Sequence, residues 1–264
     1  MEDPSKATAG NGRGLYGSLS LPSSQMTVSV AKRVFRPRSN INLESSFFKR
    51  GRVQQTAYPC LLPDGDYLEL PFLPLPPDFE TAIAFLCSNQ TSFEVEDRLS
   101  TYMTDLIRDR QPEVVVGMPT LGMVYASIVA RKLGHDRYVP LGYSRKFWYE
   151  EDLSVPVCSI TSPTTPKTVY IDPKLLERLE GKRVILVEDV VSTGGTLSAE
   201  LSLMKKIGAN VVGIVTAVKE TNVWVEKLGA IDPTYPSLVV APICCPLFTK
   251  VVGGWMPVDG TLPP

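Results

Sequence analysis

From about residue 91 onward the chain alternates two hydrophobic rhythms. Val95, Leu99, Met103, Leu106 and Ile107 recur every three or four positions behind a Thr91/Glu94 capping pair, which predicts a helix to about Arg110. The apolar run 113–119, broken at Gly117 and Pro119, predicts a strand, then a helix over 122–133 and a short strand over 138–141. After a long polar loop at 143–166, the pattern predicts a strand at 168–171 and a short helix at 173–179. A continuous apolar strand follows at 183–187. Leu197, Leu201 and Met204 then mark a helix ending at Gly208, and 211–218 reads as another strand. This order predicts an α/β fold, a parallel sheet of five core strands flanked by helices.

The first ninety residues read differently. Residues 1–26 are rich in Gly, Ser and Pro and lack apolar periodicity, which predicts a mobile tail. Within them Gly12, Gly14 and Gly17 spell G-x-G-x-x-G, but no strand precedes the match and no helix pattern follows it. Over 27–77 the prolines, among them Pro71, Pro74, Pro76 and Pro77, favour strands and rigid turns over helices. The expected organisation is a tail at 1–26 and one domain at 27–264. Its parts are an N-terminal extension or hood at 27–90, a core at 91–220 and a C-terminal segment at 221–264.

Composition narrows the chemistry. The 264 residues suit one domain, and 44% hydrophobic residues suffice for a buried core. The 27 basic residues are balanced by 28 acidic ones, so no global charge draws the chain to nucleic acid or an anionic membrane. Five scattered cysteines without C-x-x-C spacing fit reduced thiols and a cytoplasmic location. His135, the single histidine, lies in a Gly-His-Asp turn and reads as a surface residue. The sequence shows neither a secretory signal nor an apolar run long enough to span a membrane.

The segment Val184-Ile-Leu-Val-Glu-Asp-Val-Val-Ser-Thr-Gly-Gly-Thr196 carries the clearest chemistry. It sets Glu188 and Asp189 at the carboxyl end of a buried strand and leads through a Gly-Gly turn into a helix N-terminus. Small residues let backbone N–H groups converge on an anion, and the helix dipole favours negative charge there. Two carboxylates beside a phosphate cradle repel a phosphate, so they must address hydroxyls or a cation elsewhere on the ligand. A phosphorylated ribose has that pattern; the plainer alternative is an acidic pair that merely caps the next helix.

This aliphatic strand, acidic pair and T-G-G-T loop resemble the phosphoribosyl pyrophosphate (PRPP) signature of the type I phosphoribosyltransferases. The resemblance spans about 90–220 and implies that family's fold, with a hood built from other segments. It implies that Glu188 and Asp189 hold the ribose hydroxyls, while Val190, Val191, Ser192, Thr193, Gly194, Gly195 and Thr196 wrap the 5-phosphate. The loop Gly117-Met-Pro119-Thr120-Leu121-Gly122 is similar to the family's pyrophosphate loop. The stretch 143–166 sits where the family has its flexible catalytic hood, and Arg145 and Lys146 there would supply charge to the pyrophosphate. Mg2+ would arrive on PRPP, with no metal held directly by the protein, and a homodimer is the family's habit.

At the base side the resemblance points two ways. Val218-Lys-Glu-Thr221 and Val251-Val-Gly-Gly-Trp255 are similar in layout to the 6-oxopurine enzymes, which would cast Lys219 and Trp255 as base-binding residues. Those enzymes usually carry an aspartate where this chain has Ser192, whereas adenine-type members tolerate a small residue. The implied reaction transfers 5-phosphoribosyl from PRPP to a purine, adenine favoured, with release of pyrophosphate. The alternatives are a PRPP-binding regulator without transfer activity, and an enzyme acting on a 6-oxopurine or pyrimidine.

Overall fold

The computed structural model describes residues 34–35, 53–159 and 162–264, with side chains at 53–157 and 167–264. The expected tail at 1–26 and its glycine motif lie outside the described residues. The central element is a parallel sheet. Its strands are β5 (Val114–Gly117), β6 (Val139–Pro140), β9 (Arg183–Val191), β10 (Asn210–Glu220), β11 (Val239–Val240) and β12 (Ile243–Cys245). They run in the order β11-β10-β9-β5-β6, and β12 pairs in parallel with the far end of β10; the strand predicted at 168–171 lies outside this sheet, and β11 and β12 are two strands the sequence pattern does not predict.

Helices cover both faces, as parallel strands require. On one face Ile185, Val187 and Val215 pack with Leu99, Met103 and Ile107 of α1 (Phe93–Ile107) and Tyr125 and Val129 of α2 (Gly122–Lys132). On the other, Val184, Leu186 and Ile214 pack with Leu201 and Met204 of α3 (Gly195–Lys206) and Leu228 of α4 (Val223–Ile231). Alternate residues of β9 thus feed opposite clusters, which explains why 184–187 reads as an unbroken apolar run. Helix α1 begins one residue later than the capping pair predicts. Ser92 is the N-cap and accepts from the Val95 N–H at 3.3 Å, while the Thr91 hydroxyl donates to the Ser88 carbonyl at 2.9 Å.

The N-terminal region and the C-terminal segment combine into an antiparallel hood. Strands β2 (Ala57–Leu61), β3 (Tyr67–Leu75) and β4 (Thr81–Ala84) pair in succession, and β4 continues into β13 (Phe248–Val251) and β14 (Gly254–Pro257). The short β1 (Val34–Phe35) adds to β3. Leu68, Leu70 and Phe248 of the hood belong to the same apolar cluster as α1 and α2.

The stretch expected to be a polar loop is instead largely a hairpin, β7 (Ser154–Ser159) against β8 (Ser162–Tyr170). Val157 and Val169 bury against the α3 face of the sheet. Ser, Thr and Pro around these valines hide the period-two signal that would predict strands.

Candidate active site

Strand β9 runs four residues past the predicted Val187, so Glu188 and Asp189 lie within it, at its carboxyl end. Glu188 is buried, and its Oε1 accepts from the Asp189 N–H at 3.0 Å while Oε2 has no partner among the described residues. Burial, reinforced by Asp189 and Glu200, holds its carboxyl well above the usual range. Burial also raises Asp189. Glu200, on α3, is fully buried with neither carboxyl oxygen bonded among the described residues, and burial raises it too. Tyr143 is raised by burial and by the facing Glu200, Glu188 and Asp189. Buried acids such as Glu188 and Asp189 at a strand end are suited to a ligand that brings donors or positive charge.

Two helix N-termini frame these acids. After β9 the chain turns through Ser192, Thr193 and Gly194 into α3, whose first N–H groups have no side-chain cap. Gly194 takes φ +72, and a Cβ there would lie 2.8 Å from the Trp224 Cβ, so only glycine fits. Helix α2 likewise starts without a side-chain cap, behind Pro119, Thr120 and Leu121, and the Pro119–Thr120 peptide is cis. A Cβ on Gly122 would lie 2.6 Å from the Val187 carbonyl oxygen, so glycine lets α2 begin directly against the end of β9. Uncapped helix N-termini are anion sites, and here both open toward the same strand end.

The two loops and the acids line one cavity of about 250 Å3. Pro119, Thr120, Leu121, Glu188, Asp189 and every residue of 190–196 line it, with Gly122 directly behind. Ser192 is buried there, with its hydroxyl facing Glu220. Ile83, Phe85 and Leu86 form an apolar wall from the hood, and Tyr143, Lys167, Leu197 and Glu220 complete the lining.

The remaining expected site residues lie elsewhere. Arg145 pairs with Glu151 at 3.2 Å and Lys146 is exposed; neither lines the cavity, and Lys167, with its Nζ 5.1 Å from the Tyr143 ring centre, is the lining cation. The Lys219 ammonium donates to the Pro264 carbonyl and lies 5.9 Å from the Trp224 ring centre, turned from the cavity. Trp255 packs in the hood with its ring 5.9 Å from that of Phe72. Neither member of the expected base-binding pair lines the cavity. β10 carries Lys219 and Glu220 to opposite faces, and Glu220 is the one that lines the cavity.

Among the described residues no cluster of three or more His, Cys, Asp or Glu is arranged to hold a metal. Glu188 and Asp189 are hard oxygen donors of the kind a hydrated Mg2+ accepts. Among those residues, too, no helix is long and apolar enough to cross a membrane.

Residues 91–230 match the family described as the phosphoribosyl transferase domain. The adenine phosphoribosyltransferase of Thermotoga petrophila is 33% identical over 161 residues, covering 54% of this chain and 82% of the relative. The orotate phosphoribosyltransferase of Sulfurisphaera tokodaii is 28% identical over 126 residues, covering 47% and 53%. The APRTase of Giardia lamblia, solved with 9-deazaadenine, shares the fold at a TM-score of 0.50 and 23% identity, covering 61% of this chain and 87% of that one. The acidic strand end, the uncapped T-G-G-T helix and the extent of these matches lead to one assignment: the chain belongs to the phosphoribosyl transferase family.

Proposed function

We propose that the protein transfers the 5-phosphoribosyl group of PRPP to a ring nitrogen of a purine, adenine favoured, releasing pyrophosphate. The observation that carries this reading is the single cavity joining an acidic strand end to two uncapped helix N-termini. The 5-phosphate suits Ser192 to Thr196 at the start of α3, and the pyrophosphate suits Pro119 to Gly122 at the start of α2. Glu188 and Asp189 lie between them as acceptors for ribose hydroxyls. Charge building on the departing pyrophosphate is met by N–H dipoles and by Lys167, and the hood wall of Ile83, Phe85 and Leu86 excludes water from the glycosyl carbon. The base nitrogen forms its bond to that carbon as the carbon–oxygen bond to pyrophosphate breaks, and the proton lost from that nitrogen leaves on the pyrophosphate.

The names of the Thermotoga relatives support adenine, as does Ser192 in place of an aspartate. Orotate transfer is the second reading, favoured by the Sulfurisphaera relative. Mg2+ arrives on PRPP, and the same reading makes the enzyme a cytoplasmic homodimer. The test is thermal: Mg–PRPP at about a hundred times its Kd adds about 2.7 kcal/mol to native stability and raises Tm. Asp189→Asn is expected to lose most of that shift while remaining folded. An undiminished shift in the variant overturns the ribose assignment.

A further inference from the structure

We propose that Glu220 is the residue that reads the base, pairing as a neutral carboxylic acid with a base edge that sets a hydrogen-bond acceptor beside a donor. This inference rests on the transferase reading and deepens it by naming a base-specificity residue in the same cavity.

The argument begins with position. Glu220 ends β10, one strand over from the acidic pair, and shares the cavity with the apolar wall of Ile83, Phe85 and Leu86. That wall suits the faces of a flat heterocycle but offers no side-chain polar atom to its edge. Glu220 is 1% exposed, and its Oε2 has no hydrogen-bond partner among the described residues. A buried carboxyl oxygen left unpaired on a ligand cavity is costly unless a ligand completes it.

Its surroundings fix its protonation. The groups that face it are Asp189 from β9, the Ser192 hydroxyl from the following loop and the Cys245 thiol from β12, with uncharged residues on the hood side. The nearest cation along the strand, Lys219, is committed to the Pro264 carbonyl. With no positive partner among the described residues, burial raises the Glu220 carboxyl to about 8 against the pull of Ser192, and Asp189 adds to the rise. At neutral pH it therefore offers one O–H donor and one C=O acceptor side by side. The ring nitrogen and exocyclic amine of a 6-aminopurine present the matching pair, as do the N–H and oxygen of a 6-oxopurine. An edge with two acceptors side by side does not match.

Steady-state assays with adenine as the base, over about pH 6 to 9, test this with Glu220→Leu and Glu220→Gln, each checked for Mg–PRPP affinity. Glu220→Leu is expected to raise KM for adenine about ten- to a hundredfold with PRPP affinity unchanged. Glu220→Gln keeps one donor and one acceptor. It is expected to recover most of that loss and to abolish the fall in kcat/KM expected of the native enzyme above about pH 8. An unchanged adenine KM in Glu220→Leu, or a Gln variant that keeps the native alkaline fall, overturns the assignment. A native protein that binds Mg–PRPP yet transfers to no base overturns the parent reading instead, and this inference with it.

Discussion

The Thr221 hydroxyl donates to the Ser192 carbonyl at 3.1 Å, tying the turn after β10 to the phosphate loop after β9. The Thr221 N–H donates in turn to the Cys245 carbonyl at 2.9 Å, and the Thr221 carbonyl accepts from the Trp224 indole N–H, also at 2.9 Å. One buried residue thus anchors the loop, the strand β12 and helix α4 together. Thr221→Val removes the hydroxyl bond and leaves a buried carbonyl short of a partner. It is expected to cost about 1–2 kcal/mol in urea unfolding and to weaken Mg–PRPP binding, while Thr221→Ser loses little. Equal stability of the Val variant and the native protein contradicts the anchoring role.

Gly122 makes a second geometric claim. A Cβ there meets the Val187 carbonyl oxygen at 2.6 Å and the Glu188 Cα at 2.9 Å, both backbone atoms that cannot move aside. Gly122→Ala is expected to push α2 off the strand end, costing about 1–3 kcal/mol and weakening Mg–PRPP binding. Isothermal calorimetry with Mg–PRPP checks this, and unchanged affinity contradicts it.

Glu220 also governs stability against pH. Its carboxyl ionises near 4.5 in the unfolded chain and near 8 in the folded one, so between these values the native state holds a proton that the unfolded state has lost. Its contribution is complete below about pH 4.5 and declines as pH rises toward 8, at up to about 1.4 kcal/mol per pH unit. Glu188 and Glu200, also raised, add slope of the same sign. Glu220→Gln is expected to flatten, without abolishing, the fall in urea midpoint between about pH 5 and 8. A variant with the native slope contradicts the buried, neutral state of this carboxyl.

The legible parts of the molecule are those whose physics is local. Strand β9 is buried on both faces, so 184–187 appears as an uninterrupted apolar run, and the following acids and glycines announce a strand-end anion site on their own. The hood was less readable because its pairing is non-local: β4 meets β13, which lies about 160 residues later in sequence. The hairpin of β7 and β8 was masked by the Ser, Thr and Pro residues of its strands. At the end of β10 the difficulty was one of register. Neighbouring residues of a strand face opposite ways, so choosing Lys219 over Glu220 required knowing which face meets the cavity. Lys167 and the hood wall of Ile83, Phe85 and Leu86 carry no motif, and only the folded chain brings them to the site.

The most direct test of the account is pyrophosphate release from Mg–PRPP, measured with and without adenine in the native protein and in Asp189→Asn. The account predicts release that depends on adenine and is matched by formation of the adenine ribonucleotide. It also predicts that Asp189→Asn lowers kcat/KM by at least about a hundredfold, as expected when a charge-assisted contact to the reacting sugar is lost. Tight Mg–PRPP binding with no release for any base, or undiminished turnover in Asp189→Asn, would contradict it.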